Sequence, residues 1–217
     1  VRDTPSLRGR TLGSSWLFYN LTVAALVMVI ISRNALLFLL AWEVMTVASF
    51  FLVAFEHEKE SARQAGWTYM VASHLGVAFL IVFFLLLGNQ AGSLDFDAFC
   101  AQASSVRRPN LLFILAIIGF GVKAGFMPLH IWLPEAHPAA PSHVSALMSG
   151  VIIKTGIYGI VRSLFFLGPP YAWWGWLLIA IGVSSGVLGA LFALAQHDLK
   201  RLLAYSSIEN IGVIALG

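Results

Sequence analysis

From Gly66 to Gly88 the chain reads GWTYMVASHLGVAFLIVFFLLLG, without an Asp, Glu, Lys or Arg. About 20 apolar residues are enough to cross a bilayer as a helix. Such runs recur, and seven spans are predicted: roughly 15–31, 34–55, 66–88, one from Asn110 through Lys123 toward Pro128, about 143–167, 172–195, and one from about 200 to the last residue. A buried core cannot absorb so much apolar surface. Hydrophobic residues make up 59% of the chain and charged residues 11%, where a soluble domain has about 25% charged. The predicted fold class is therefore an all-α polytopic membrane protein with about seven transmembrane helices.

The whole of 1–217 reads as a single transmembrane domain. It has a polar N-terminal segment at 1–14, and its longest polar connection is 88–109, GNQAGSLDFDAFCAQASSVRRP. A short interfacial helix is expected there around LDFDAFCAQA. Basic residues set the orientation. Arg2, Arg8, Arg10, Lys59, Arg63, Lys200 and Arg201 fall on the starting side, and Arg33, Arg107, Arg108 and Arg162 on the other. The positive-inside rule makes the starting side cytoplasmic. The chain begins at Val1 without a signal-peptide pattern and stops inside GVIALG, so the expectation is an internal piece of a longer protein.

A net charge of +3 with no basic stripe argues against nucleic acid as a partner. A single cysteine, Cys100, excludes an internal disulfide and any all-cysteine zinc or iron–sulfur site. Redox chemistry, if the protein takes part in any, belongs to a partner.

Of the thirteen basic residues, only Lys123 and Lys154 fall well inside predicted spans. A lysine near the bilayer centre costs about 2.5–3.5 kcal/mol on insertion scales. Glu43 lies near the middle of the second span and offers Lys123 a partner of opposite sign. An ion pair would offset part of the desolvation. Lys154 is surrounded by Ser149, Gly150, Thr155, Gly156 and Gly159, small residues that allow close helix approach and room for water. Arg162, two turns later, can snorkel to the far interface.

Between the lysines runs MPLHIWLPEAHPAAPSHVSA, with Pro128, Pro134, Pro138 and Pro141. Proline breaks helices, and non-helical backbone at membrane depth is tolerated only in a protein interior or beside a wet cavity. The same stretch carries His130, His137 and His143, able to relay protons. His130 follows the first break and His143 opens the fifth span, which makes them the relay candidates; His137 lies between prolines and reads as a loop residue. The spacing is not H-E-x-x-H, so a zinc site is disfavoured. His74, central in the third span, and Glu209, inside the seventh, are secondary candidates. Each of these groups also has a purely structural reading as a satisfied polar residue.

Three segments together carry a resemblance: WEVM around Glu43, GVKAGFMPLHIWLPEAHPAAPSHVSALMSGVIIKTGIYGIVR, and LAQHDLKRLLAYSSIENIG. They resemble the antiporter-like membrane subunits of complex I, Mrp-type cation/proton antiporters and membrane-bound nickel–iron hydrogenases. SIENIG at Ser207–Gly212 is most similar to the hydrogenase-4 and formate hydrogenlyase branch. The resemblance implies an inverted-repeat fold of about fourteen helices, of which this chain would supply helices four to ten. It implies that Glu43 is the glutamate of helix five, Lys123 the lysine of the broken seventh helix and Lys154 the lysine of the eighth. It further implies a proton-translocating subunit of a redox-driven complex in a bacterial or archaeal cytoplasmic membrane. Such a subunit has no redox centre of its own. Nickel–iron and iron–sulfur centres would lie in partner subunits, which include other membrane subunits and a peripheral redox arm. An Mrp-type antiporter subunit and a non-transporting scaffold are the alternatives.

The expected mechanism follows from charge. Burial disfavours a charged lysine and a nearby carboxylate favours it. Weakening a Glu43–Lys123 pair would release the proton of Lys123 through water, past His130 or His143, toward Lys154.

Overall fold

The computed structural model describes residues 12–217, and the polar N-terminal segment predicted at 1–14 lies largely outside them. Ten α-helices follow in order: α1 (Leu12–Ile31), α2 (Ala35–Val53), α3 (Glu60–Ala91), α4 (Phe96–Ala101), α5 (Pro109–Ala124), α6 (Leu133–Ala139), α7 (Ser142–Leu147), α8 (Ile153–Leu167), α9 (Ala172–Leu194) and α10 (Leu199–Leu216). A π-turn, Met148–Ile152, joins α7 to α8. No strand forms among the described residues; a single bridge pairs Asn34 with Asp95.

Among the described residues, five helices are long and apolar enough to cross a membrane: Gly13–Ile31, Ala35–Glu56, Glu60–Ala91, Ser142–Leu167 and Ala172–Leu194. The other two predicted spans differ for local reasons. The fourth stops after the 16 residues of α5, because Gly125 turns the chain into the left-handed region at φ 76° and its N–H bonds back to Gly121. The seventh, α10, carries Lys200, Arg201 and Glu209 within its 18 residues, which lowers its apolar character. The third is longer than predicted, because α3 begins at Glu60 and ends only at Gly92, another left-handed glycine.

Helix ends are closed by side chains. Asn34 Oδ1 accepts from the N–H groups of Leu36 and Leu37 at the start of α2, and Asp198 Oδ1 accepts from Arg201 at the start of α10. The 88–109 connection holds the end of α3 and the short helix α4, which is pinned by Phe96 and Phe99 against Phe84 and Phe166. Arg162 is half-buried and turns toward the end of α1. Its guanidinium donates to the carbonyls of Ile30 (3.2 Å) and Ser32 (2.7 Å) and lies over the Phe96 ring. It satisfies carbonyls that the end of α1 leaves open, and so ties α8 to α1.

The core centres on α5. Phe120 meets Trp42 and Phe38 of α2 edge-on. On its other side α8 comes so close that a Cβ on Gly156 would lie 2.5 Å from the Ala124 nitrogen. Only glycine permits that approach, and it holds the broken helix between α2, α3 and α8.

Candidate functional site

Lys123, one residue before α5 ends, is 1% exposed. The stripe of α5 that includes Ala116, Phe120, Lys123 and Ala124 is buried, so the side chain has no path to an interface. Its ammonium donates to Tyr69 Oη at 2.7 Å, Thr46 Oγ1 at 3.0 Å and Ser73 Oγ at 3.5 Å. Three donors therefore meet three hydroxyls. The Tyr69 ring lies 4.7 Å from Nζ and adds a cation–π contact.

The expected ion pair with Glu43 is not formed. No carboxylate among the described residues lies within 4.0 Å of Lys123. The reason is the face of α2. Its buried stripe runs through Phe38, Trp42, Met45, Thr46 and Ser49, and Glu43 falls beside it. Thr46, one turn on, is the α2 residue that meets the lysine. Glu43 instead turns toward α3, where Oε2 is 3.4 Å from His74 Nε2.

The hydroxyl shell is chemically two-faced. Thr46 donates its own proton to the Trp42 carbonyl at 2.9 Å, so toward Lys123 it can only accept. Tyr69 and Ser73 can donate or accept. The shell can therefore hold an ammonium, by accepting three times, or an amine, by having Tyr69 or Ser73 donate to its lone pair.

Backbone freed by the break is satisfied from outside. The Met127 N–H donates to Ser185 Oγ of α9 at 3.0 Å, and Trp132 Nε1 donates to the Val122 carbonyl at 2.7 Å. Trp132 also packs on Tyr69, ring centres 5.0 Å apart, so the segment after the break supports the residue that holds Lys123.

The other candidates are scattered. Lys154 is exposed among the described residues, and its Nζ donates to the Ser149 carbonyl at 2.7 Å. His130 is half-buried near the Tyr205 ring, with Nδ1 enclosed and without a hydrogen-bond partner. His143 is exposed and stacks on Trp16, with Tyr19 beside it, in the first part of α1. Glu209 is half-buried on α10, where the α9 residue Gly189 abuts its backbone.

His137 corrects the loop reading. It lies in α6 at 2% exposure, bonded through Nδ1 to Ser145 Oγ at 2.7 Å, with Nε2 enclosed and unpartnered. It lines a cleft of about 480 Å³ with Ser145, Ser149, Lys200, Ser207 and Asn210, and with Leu199 and Leu203. Ser149 and Ser207 are hydrogen-bonded at 2.8 Å, so this cleft reaches the carbonyl that holds Lys154. The proline-flanked sequence hid His137, because Pro134 falls at a helix start, where proline is favoured.

Residues 32–217 match the family described as NADH:quinone oxidoreductase/Mrp antiporter, transmembrane. The chain belongs to this antiporter-like family. It is 46% identical over 212 residues to hydrogenase-4 component B of Escherichia coli K12, covering 96% of this chain and 31% of that protein. It is 34% identical over 198 residues to formate hydrogenlyase subunit 3 of the same organism, covering 91% of this chain and 31% of that protein. Among solved structures, a chain of the archaeal membrane-bound sulfane sulfur reductase, a respiratory membrane complex, superposes with a TM-score of 0.87 at 25% identity, covering 99% of this chain and 45% of that one. The antiporter-like chain thus spans about a third of the length of the relatives it matches.

Proposed function

We propose that this chain is the ion-conducting heart of a proton-translocating membrane subunit, part of a redox-driven complex of the hydrogenase-4 or formate hydrogenlyase kind in a prokaryotic cytoplasmic membrane. The observation that carries the reading is Lys123: a buried lysine at a helix break, held by three hydroxyls and by no carboxylate. A structural lysine would gain more from a fixed counter-ion, since an unpaired buried charge is costly. A hydroxyl shell that can accept or donate suits a group that takes up a proton and gives it away. His137, Ser149 and Lys200 line one cleft on the side of the Ser149 carbonyl that holds Lys154, which supports a route between them. Metal centres and electron transfer belong to partner subunits in this reading, and the partners are further membrane subunits and a peripheral redox arm.

The test uses the full-length protein in its native complex, reconstituted in vesicles, with proton movement and redox turnover measured together. Lys123→Met should abolish proton movement while the complex still assembles. Wild-type proton movement in that variant would make Lys123 structural. Transport driven by a sodium gradient without an electron donor would favour the Mrp-type antiporter instead.

A further inference from the structure

We infer that Glu43 and His74 form a single-proton site, with His74 as the proton-sharing partner of the glutamate; the inference rests on the translocation reading above and assigns a second loading point beside Lys123. His74 Nδ1 lies 3.0 Å from the Met70 carbonyl one turn back on α3. A carbonyl can only accept, so Nδ1 carries a hydrogen in every protonation state of the ring. The neutral imidazole then has its lone pair on Nε2, and Nε2 faces Glu43 Oε2 at 3.4 Å. Two arrangements are attractive. In one, a carboxylate faces an imidazolium; in the other, a carboxylic acid donates to the neutral imidazole. Both hold one proton between the oxygen and the nitrogen and both are neutral overall. With that proton gone, a carboxylate oxygen faces a nitrogen lone pair. The pair repels, and Glu43 is driven away from His74. Loading and unloading one proton thus moves the carboxylate, with no other group consumed.

The pair is part-exposed on the surface between α2 and α3, in surroundings that favour this count. The pair sits in a lateral groove of about 530 Å³ between α2 and α3 whose other lining is apolar, including Leu36, Leu40, Val77 and Ile81. Glu43 and His74 are the titratable side chains on that lining; from the neighbouring elements, Lys123 of α5 and Tyr69 of α3 lie on the inner side. An apolar setting disfavours a lone net charge and favours the neutral one-proton pair. The pair and the lysine are also mechanically joined. Glu43 and Thr46 are one turn apart on α2, and His74 follows Ser73 on α3, while Thr46 and Ser73 both hold Lys123. A displacement of Glu43 therefore acts on the turns of helix that hold the lysine.

The experiment combines transport with a direct reading of the histidine. Full-length protein in its native complex is assayed in vesicles as wild type, His74→Gln, Glu43→Gln, the double variant and Lys123→Met. In parallel, nitrogen-15 spectra of labelled histidine are recorded across pH for wild type and Glu43→Gln. The expectation is loss of most proton movement in His74→Gln, no further loss in the double variant than in Glu43→Gln, and a neutral His74 that keeps its proton on Nδ1 and titrates differently once Glu43 is removed. A neutral ring protonated on Nε2 overturns the inference. So does wild-type proton movement with an unchanged pH profile in His74→Gln while Lys123→Met is inactive; the translocation reading then stands alone. Full pumping by Lys123→Met sinks that reading, and the nitrogen spectra then decide the proton-sharing pair on their own.

Discussion

Tyr69→Phe separates the hydroxyl from the ring at the centre of the site. The substitution deletes the oxygen 2.7 Å from Lys123 Nζ, the shortest of its three hydrogen bonds, and leaves the aromatic face that lies 4.7 Å from the same nitrogen. The packing on Trp132 also remains. A hydrogen bond to a charged group contributes about 1.5–3 kcal/mol, and the remaining partners stand at 3.0 and 3.5 Å, the latter too long to compensate. At about 1.4 kcal/mol per factor of ten in rate, proton transfer through Lys123 should slow by roughly tenfold to a hundredfold. Little volume is lost, so assembly should not suffer. The assay is the initial rate of proton movement in vesicles holding the intact complex, with thermal stability measured on the same preparation. Tyr69→Leu is the contrasting variant, since it loses the ring as well and should lower stability. Wild-type transport in Tyr69→Phe, alongside an inactive Lys123→Met, would refute the argument that the hydroxyl shell controls the lysine. So would an equal loss of stability in the Phe and Leu variants, which would make the hydroxyl a packing element.

Gly156→Ala should push α8 off α5, because the new Cβ would meet the Ala124 nitrogen at 2.5 Å and the Phe120 carbonyl oxygen at 2.6 Å; overpacking of this kind costs about 1–3 kcal/mol, read as a lowered melting temperature, with Gly150→Ala as the control since nothing lies within 4 Å there. Asp95, at the turn that meets the start of α2, has its carboxyl held below the usual aspartate range by hydrogen bonds from Asn34 and Ser93. A folded value below the unfolded one means that the stabilisation is complete above the ordinary aspartate range and is lost as pH falls through the lowered value. Thermal melts stepped down through acid should therefore decline less steeply for Asp95→Asn than for wild type.

Much of the fold was legible because hydrocarbon imposes a simple length rule. Apolar runs at 15–31, 34–55, 143–167 and 172–195 became helices close to those bounds. The differences lie where single residues act. Gly125 ends α5 early through a left-handed φ, and Gly92 rather than composition sets the end of α3. The partners of Arg162 were illegible for another reason. Length along a helix says how far a side chain can reach, but not that the open carbonyls of Ile30 and Ser32 wait beside it on another helix.

The site was legible as a set of residues and not as a set of pairs. Glu43, Lys123 and His74 stood out because ionisable groups are expensive inside a membrane, and cost can be read one residue at a time. Pairing cannot. Opposite sign suggested Glu43 with Lys123, yet Lys123 meets the buried α2 stripe at Thr46 and Glu43 falls beside that stripe, and charge gives no hint of that angle. Thr46, Tyr69 and Ser73 carry no charge and drew no notice, although they are the groups that hold the lysine. One signal could have found two of them: helical spacing. Ser73 follows Tyr69 by four residues, so the two share a helix side. Polar residues at such spacing on an apolar span need an internal partner. Lys123, with three protons to give, is the partner that three hydroxyls require.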